Sequence, residues 1–318
     1  MTHPTGSPEN PGRFIIQPEI RRAIGEVEKE RSRPLLCYVA NVINPPRGGL
    51  TGINARDHLP FNEMVDSVPK SEQVVDLLVA TPGGSAETVG RFVDALRPRF
   101  RDVTAIVPYQ AFSAGTLWVL AANQIIMDSR AVLGPIDPQV PTTDGRYVPA
   151  QALYALVDEI QAKVAAASIA KQALPLAWLE ILRTIDKKEL GAAITSSNYA
   201  VKMATDWIME HKFRDWAVHS TTGQPVTDAD KQERARKIAA TLSNHGHWLS
   251  HAHGVRREDL RDKNLLGLKI DNLEDSPGVH RAVRRLWGVF AWFFDKAPVF
   301  KVMVADDFFW MLQGQPVK

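Results

Sequence analysis

The chain predicts an α/β fold with a largely parallel sheet, and three observations carry that expectation. Apolar runs at 33–43, 73–81, 102–111 and 124–128 read as strands, and QVVDLLVAT (73–81) is almost continuously apolar, as a strand covered on both faces is. Segments with apolar residues at helical spacing separate these runs. The two kinds alternate, which is the pattern of βαβ units.

In order along the chain, residues 1–14 (MTHPTGSPENPGRF) are polar and rich in Pro and Gly. They have no apolar core for a signal peptide and predict a disordered tail. RPLLCYVANVI (33–43) is the first strand. Its Cys37, the single cysteine of the chain, reads as a buried thiol; one cysteine excludes an internal disulfide framework and fits a reducing, cytoplasmic setting. HLPFNEMVDSV (58–68) is a helix and 73–81 the second strand. SAETVGRFVDALRPRF (85–100) carries Val89, Phe92, Val93 and Leu96 at helical spacing, with Ser85 placed to cap it. DVTAIVPYQA (102–111) is the third strand, SAGTLWVLAAN (113–123) a helix and QIIMD (124–128) the fourth strand. These elements set a core at 15–147.

From 148 to 318 helical spacing dominates, at 149–172, 176–190, 195–211, 227–243, 256–263 and 276–297. The last opens with Ser-Pro, a helix start. Its LWGVFAWFF run reads as a packing helix or as a face for self-association or a protein partner. A formal net charge of +2 with 45% hydrophobic and 23% charged residues argues against nucleic acid or a membrane surface as main partner. No apolar stretch reaches bilayer-spanning length.

The stretch TPGGSAET (81–88) poses the chemical question. It lacks the lysine of a P-loop and the spacing of a dinucleotide fingerprint. Consecutive glycines at the end of a buried parallel strand instead let backbone N–H groups approach a ligand in the crevice where α/β folds bind. That is the geometry of an oxyanion hole. The next strand–helix junction supplies a nucleophile, Ser113, followed by the small residues Ala114 and Gly115 at a helix N-terminus. The plainer alternative is that Ser113 only caps its helix.

TPGG, then SAGT, then LGPIDPQ (133–139) resemble the serine dehydrogenase proteinase family of the ClpP/crotonase superfamily, relatives of signal peptide peptidase A. The resemblance covers residues 33–140, with an echo in SHAHGVRREDLRDKNLLGLKI (250–270). It implies a ClpP/crotonase-like spiral β-β-α core with a helical C-terminal elaboration, self-association, and no metal or cofactor. It makes Ser113 the nucleophile and the N–H groups of Gly84 and Ala114 the oxyanion hole. Gly83 and Ser85 would lie beside an extended peptide substrate paired by β-augmentation, and Asp137 would contact substrate, orient a base or satisfy turn amides.

A serine nucleophile needs a base. Where ClpP-type enzymes have a histidine, this chain has Asp137. Signal peptide peptidase relatives use a lysine of lowered pKa, which here makes Lys163 the first candidate, Lys171 the second, and the histidines His245, His247, His251 and His253 the third. His-x-His spacing also suits zinc, but no cysteine or His-Glu motif accompanies it. The function expected is a serine peptidase with a Ser–Lys dyad. The alternatives are a catalytically inactive ClpP-like scaffold and a crotonase-type acyl-CoA enzyme.

Overall fold

The computed structural model describes residues 11–141, 147–171, 173, 175–219 and 222–314. Residues 1–10 of the expected tail lie outside them, and its last four begin a helix, α1 (Pro11–Arg31). The elements that follow are β1 (Leu35–Ala40), α2 (His58–Asp66), β2 (Val74–Ala80), α3 (Ala86–Leu96), β3 (Asp102–Val107), β4 (Gln110–Ala111), α4 (Ala114–Leu120), β5 (Gln124–Met127), β6 (Val132–Leu133), β7 (Gln139–Pro141) and β8 (Tyr147–Pro149). Then come α5 (Ala150–Ile169), α6 (Leu176–Thr184), α7 (Lys187–Trp207), α8 (Asp228–Ser243), α9 (His245–Trp248), β9 (Val255–Arg256), α10 (Arg257–Arg261), β10 (Asp271–Asn272), α11 (Pro277–Lys296), β11 (Val299–Val304) and β12 (Phe309–Gln313).

The main sheet runs β10-β5-β3-β2-β1-β11-β12. From β10 to β1 every pairing is parallel; β11 and β12 add on antiparallel. Alternate residues of one strand serve opposite faces, as pleating requires. Leu36 and Tyr38 enter the apolar layer under α2, α3 and α4, whereas Leu35, Cys37 and Val39 enter the layer under α1 and α11. Cys37 is fully buried, and burial pushes its thiol well above the ordinary range, which leaves it inert.

This is the expected α/β architecture with a largely parallel sheet, with three differences in detail. The run 102–111 breaks at Pro108, which has no N–H to donate to a ladder; β4 leaves the main sheet and forms a small ribbon with β6 and β9. The region after residue 147 is not wholly helical, because β11 and β12 complete the main sheet. The aromatic run in α11 is core. Trp287, Phe290, Phe293 and Phe294 are buried against Ile16, Ile20, Ile24 and Val27 of α1, and Trp292 alone of that run stays 53% exposed. Of the two readings of this run, the packing helix is the one these contacts fit.

Candidate active site

The two glycines after β2 and the serine before α4 meet at one edge of the sheet. Thr81 N–H donates to Gln110 O at 3.0 Å and Phe112 N–H to Thr81 O at 3.1 Å. These bonds lay 81–84 alongside 110–113. Gly83 and Gly84 have φ of +98° and +142°, angles that favour glycine. A Cβ on Gly83 would stand 2.6 Å from Phe112 O and 2.8 Å from Ser113 Cβ. A Cβ on Gly84 would collide with the Ile53 backbone. The Pro-Gly-Gly signal therefore reflects close approach of three backbone segments.

Ile53 N–H donates to Gly83 O at 2.7 Å, and Ser85 N–H donates to Ile53 O at 2.9 Å. That is a parallel bridge, which uses the edge presented by residues 83 and 85. Gly84 N–H and C=O point to the opposite edge. Among the described residues Gly84 N–H and Ala114 N–H have no acceptor.

Ser113 sits at φ 52°, ψ −117°, a positive-φ conformation that costs a non-glycine residue on the order of 1 kcal/mol or more. It occupies the N-cap position of α4, yet its side chain makes no capping bond. The plainer reading of Ser113 as a helix cap is therefore not what the structure contains. Thr116 fixes the junction: its hydroxyl lies 2.7 Å from Ala111 O and 2.9 Å from Gly134 O and accepts Gly134 N–H at 3.0 Å. Beneath α4, Trp118 packs edge-on against Tyr38 and Phe61.

Ser85 is the cap of α3. Its oxygen accepts Thr88 N–H at 3.0 Å and its hydroxyl reaches Glu87 at 2.9 Å. The hydroxyl of Ser85 is thus committed to the helix.

Asp137 is fully buried. Its carboxylate oxygens face His245 Nδ1 at 2.9 Å and His251 Nδ1 at 2.8 Å. A carboxylate only accepts, so each ring donates from Nδ1, and in a neutral ring the outward Nε2 is then the lone-pair acceptor. The β4–β6–β9 ribbon explains why these groups gather. Ala111 pairs with Leu133, and Leu133 pairs antiparallel with Val255. Ser113, Asp137 and His251 all leave the ribbon at the same end. Of the three roles expected for Asp137, the contacts present are those to the two imidazoles.

Lys163 lies elsewhere. It is exposed on α5, with its amine 5.9 Å from the Trp178 ring centre on α6. Its neighbours Ala162, Val164 and Ala165 are exposed too, so they give it no dry surroundings. α5 packs on α7 through Ala150 and Ile160, and Lys163, nearly one turn beyond Ile160, projects into solvent. Lys171 is exposed at the C-terminal turn of α5. Neither lysine has a hydrogen bond to Ser113 in this structure.

Sequence reasoning missed Lys301. It is fully buried on β11 and donates to Gly52 O at 2.6 Å and to Asp57 at 2.8 and 3.0 Å. Burial pushes its ammonium down from the ordinary range, with Asp57 pulling the other way. Tyr38, whose hydroxyl donates to Asp57 at 2.9 Å, is pushed well up, by burial first and then by Asp57.

Among the described residues one group has metal-ligand proximity, Asp128, Glu274 and His280. Arg284 and Arg257 already neutralise its carboxylates, so the cluster works as an ion-pair network.

Residues 62–181 match the family model described as ClpP-like SDH-type serine proteinase, which bears out the resemblance drawn from the motifs. Two Methanocaldococcus jannaschii proteins match by sequence. Uncharacterized protein MJ1495 is 43% identical over 160 residues, 46% of this chain and 50% of that one. Uncharacterized protein MJ0137 is 39% identical over 107 residues, 34% and 35% of the two chains. The chain thus spans half or less of the curated relatives it matches. Among solved structures, a serine-to-alanine mutant of the 1510-N membrane-bound stomatin-specific protease aligns with 73% of this chain and 79% of its own, at a TM-score of 0.40 and 11% identity. Among the described residues no helix is long and apolar enough to cross a membrane.

Proposed function

From the ClpP-like SDH-type serine proteinase segment at residues 62–181 we propose that the chain is a serine peptidase acting through an acyl-enzyme. The observation that carries this reading is Ser113, held at positive φ, uncapped, against Gly83 and beside the unpaired Gly84 N–H. Ser113 Oγ attacks the peptide carbonyl. Gly84 and Ala114 N–H groups, with the N-terminus of α4, hold the developing oxyanion. The free edge of Gly84 favours an extended substrate strand. An imidazole held by Asp137, His251 first and His245 second, takes the serine proton on Nε2 and passes it to the leaving amine. Water then releases the acyl group.

A Ser–Lys dyad is the second reading. What favours it is that Lys163 falls inside the matched segment, while His245 and His251 lie beyond it. The two readings separate on hydrolysis of an unfolded protein substrate. With the imidazole as base, His251→Asn lowers kcat by at least about a hundredfold and Lys163→Ala leaves it within a factor of a few. The reverse pattern selects the lysine. Undiminished turnover by Ser113→Ala ends the peptidase reading and leaves the scaffold or the acyl-CoA chemistry.

Self-association belongs to the same proposal, on a different face from the aromatic one expected from sequence. Ile169 is 85% exposed and Leu176 is 77% exposed on the α5–α6 arm, an apolar surface that favours assembly there. Sedimentation of a monomer at tens of micromolar would remove this part of the reading.

A further inference from the structure

We propose that Lys301 is a positioning residue for the oxyanion donor, aiming and polarising Gly84 N–H through two intervening peptide groups. The proposal rests on the oxyanion reading of Gly84 given above.

The chain of bonds is continuous. Lys301 Nζ donates to Gly52 O at 2.6 Å. The Gly52–Ile53 peptide is trans, as are all peptide bonds described, so its N–H points away from its C=O. That N–H belongs to Ile53 and donates to Gly83 O at 2.7 Å. Gly83 O shares its peptide group with Gly84 N–H, which points on to the side where the oxyanion would form. A buried ammonium at one end thus pulls electron density along two peptide dipoles aligned head to tail. Each bond in such a chain strengthens the next, by roughly 10–30%, and the first is charge-assisted.

The ammonium is itself held in place. Asp57 receives it at 2.8 and 3.0 Å, and Asp57 Oδ2 also accepts Asn54 N–H at 3.0 Å and the Tyr38 hydroxyl at 2.9 Å. Residues 52–54 are therefore clamped at both ends, and Ile53 between them carries both bonds to the Gly83–Ser85 segment. Two well-packed apolar residues would hold β11 and the turn at 55–57 together as well as a buried ion pair does. What the pair adds is direction at Gly52 O. Lys301 sits across the strand from Ala40, far in sequence from the turn it serves, and makes no contact with substrate in this account.

The test compares wild type, Lys301→Met, and the double variant Lys301→Met/Asp57→Asn, which avoids leaving a buried carboxylate without its cation. Two readouts are taken on the full chain labelled with 15N at Gly and Ile: the amide shifts of Gly84 and Ile53, and the rate of Ser113 labelling by a fluorophosphonate probe. The folded double variant is expected to move both amide shifts. It is also expected to label roughly tenfold more slowly, less than the hundredfold or more of losing an oxyanion donor outright, and to lower kcat on a peptide substrate with KM unchanged. A merely structural role lowers the melting temperature but leaves kcat per folded molecule and both shifts where they were, which overturns the proposal. Labelling and shifts at wild-type values overturn it while leaving the peptidase intact. If wild type does not label, the peptidase reading fails on its own, and the shifts still decide: moved shifts support the relay, unmoved shifts end it.

Discussion

The Gly83–Ser113 junction and the α5–α6 arm are built on opposite terms. At the junction, 81–85 and 110–116 are locked by backbone bonds and by Thr116, over a core in which Trp118, Tyr38, Phe61 and Phe92 touch. On the arm, Val164, Ile169, Leu176 and Leu179 face solvent, and the clearest side-chain contact of Lys163 is a ring 5.9 Å away. Preorganisation belongs to the first region, and whatever the second contributes must come with an assembly partner or a bound substrate. Ser113 and the Gly84 and Ala114 N–H groups proposed to work with it are thus held in place without a ligand, while the expected lysine is not.

Replacing the nucleophile breaks the contrast most sharply. Ser113→Gly removes the hydroxyl and relieves the positive φ, so peptide turnover is expected to fall by many decades while stability in urea rises by roughly 1 kcal/mol. A loss of stability would mean that Ser113 is a structural cap after all. Next comes Gly84→Ala, whose methyl must displace Ile53. It is expected to abolish turnover and lower stability by about 1–3 kcal/mol. Gly191→Ala on α7, where a Cβ meets nothing within 4 Å, should be neutral or stabilising by up to about 1 kcal/mol.

The fold was largely legible because its signals are local. Apolar runs marked β1, β2, β3 and β5, and the glycine pairs marked the turn. Three things were not. α1 has Ile16, Ile20, Ile24 and Val27 at helical spacing, but Pro18 falls inside that pattern, and a proline argues against a helix interior. β11 was passed over because Lys301 interrupts VFKVMV, and a lysine reads as surface unless its partner is known. That partner, Asp57, is 244 residues away. The Asp137–His251 pair spans 114 residues, so its assembly depends on β9 pairing with β6, which two-residue strands do not announce. Lys163 misled because a lysine's place in the sequence does not say which way its side chain projects.

Smaller effects sharpen the same contrast. On the arm, Ile169→Ser with Leu176→Ser is expected to shift sedimentation toward smaller species and change the unfolding midpoint little, since both side chains are already exposed. Near the core, His211 should make stability depend on pH. Burial, then the cations of Arg97 and Arg214, lower its pKa to about 4. The unfolded chain takes up this proton below about 6.5 and the folded chain does not until about 4, so stability falls as pH drops through that window. His211→Gln should flatten this part of the urea-midpoint profile; an unchanged slope would assign it to other groups.

The most direct test of the central claim is peptide mapping after a fluorophosphonate probe reacts with the folded chain. An activated serine in an oxyanion hole predicts one adduct, on Ser113, absent from heat-unfolded protein and from Ser113→Ala. An unlabelled Ser113 in the folded wild-type protein, or equal labelling of several surface serines, would contradict it.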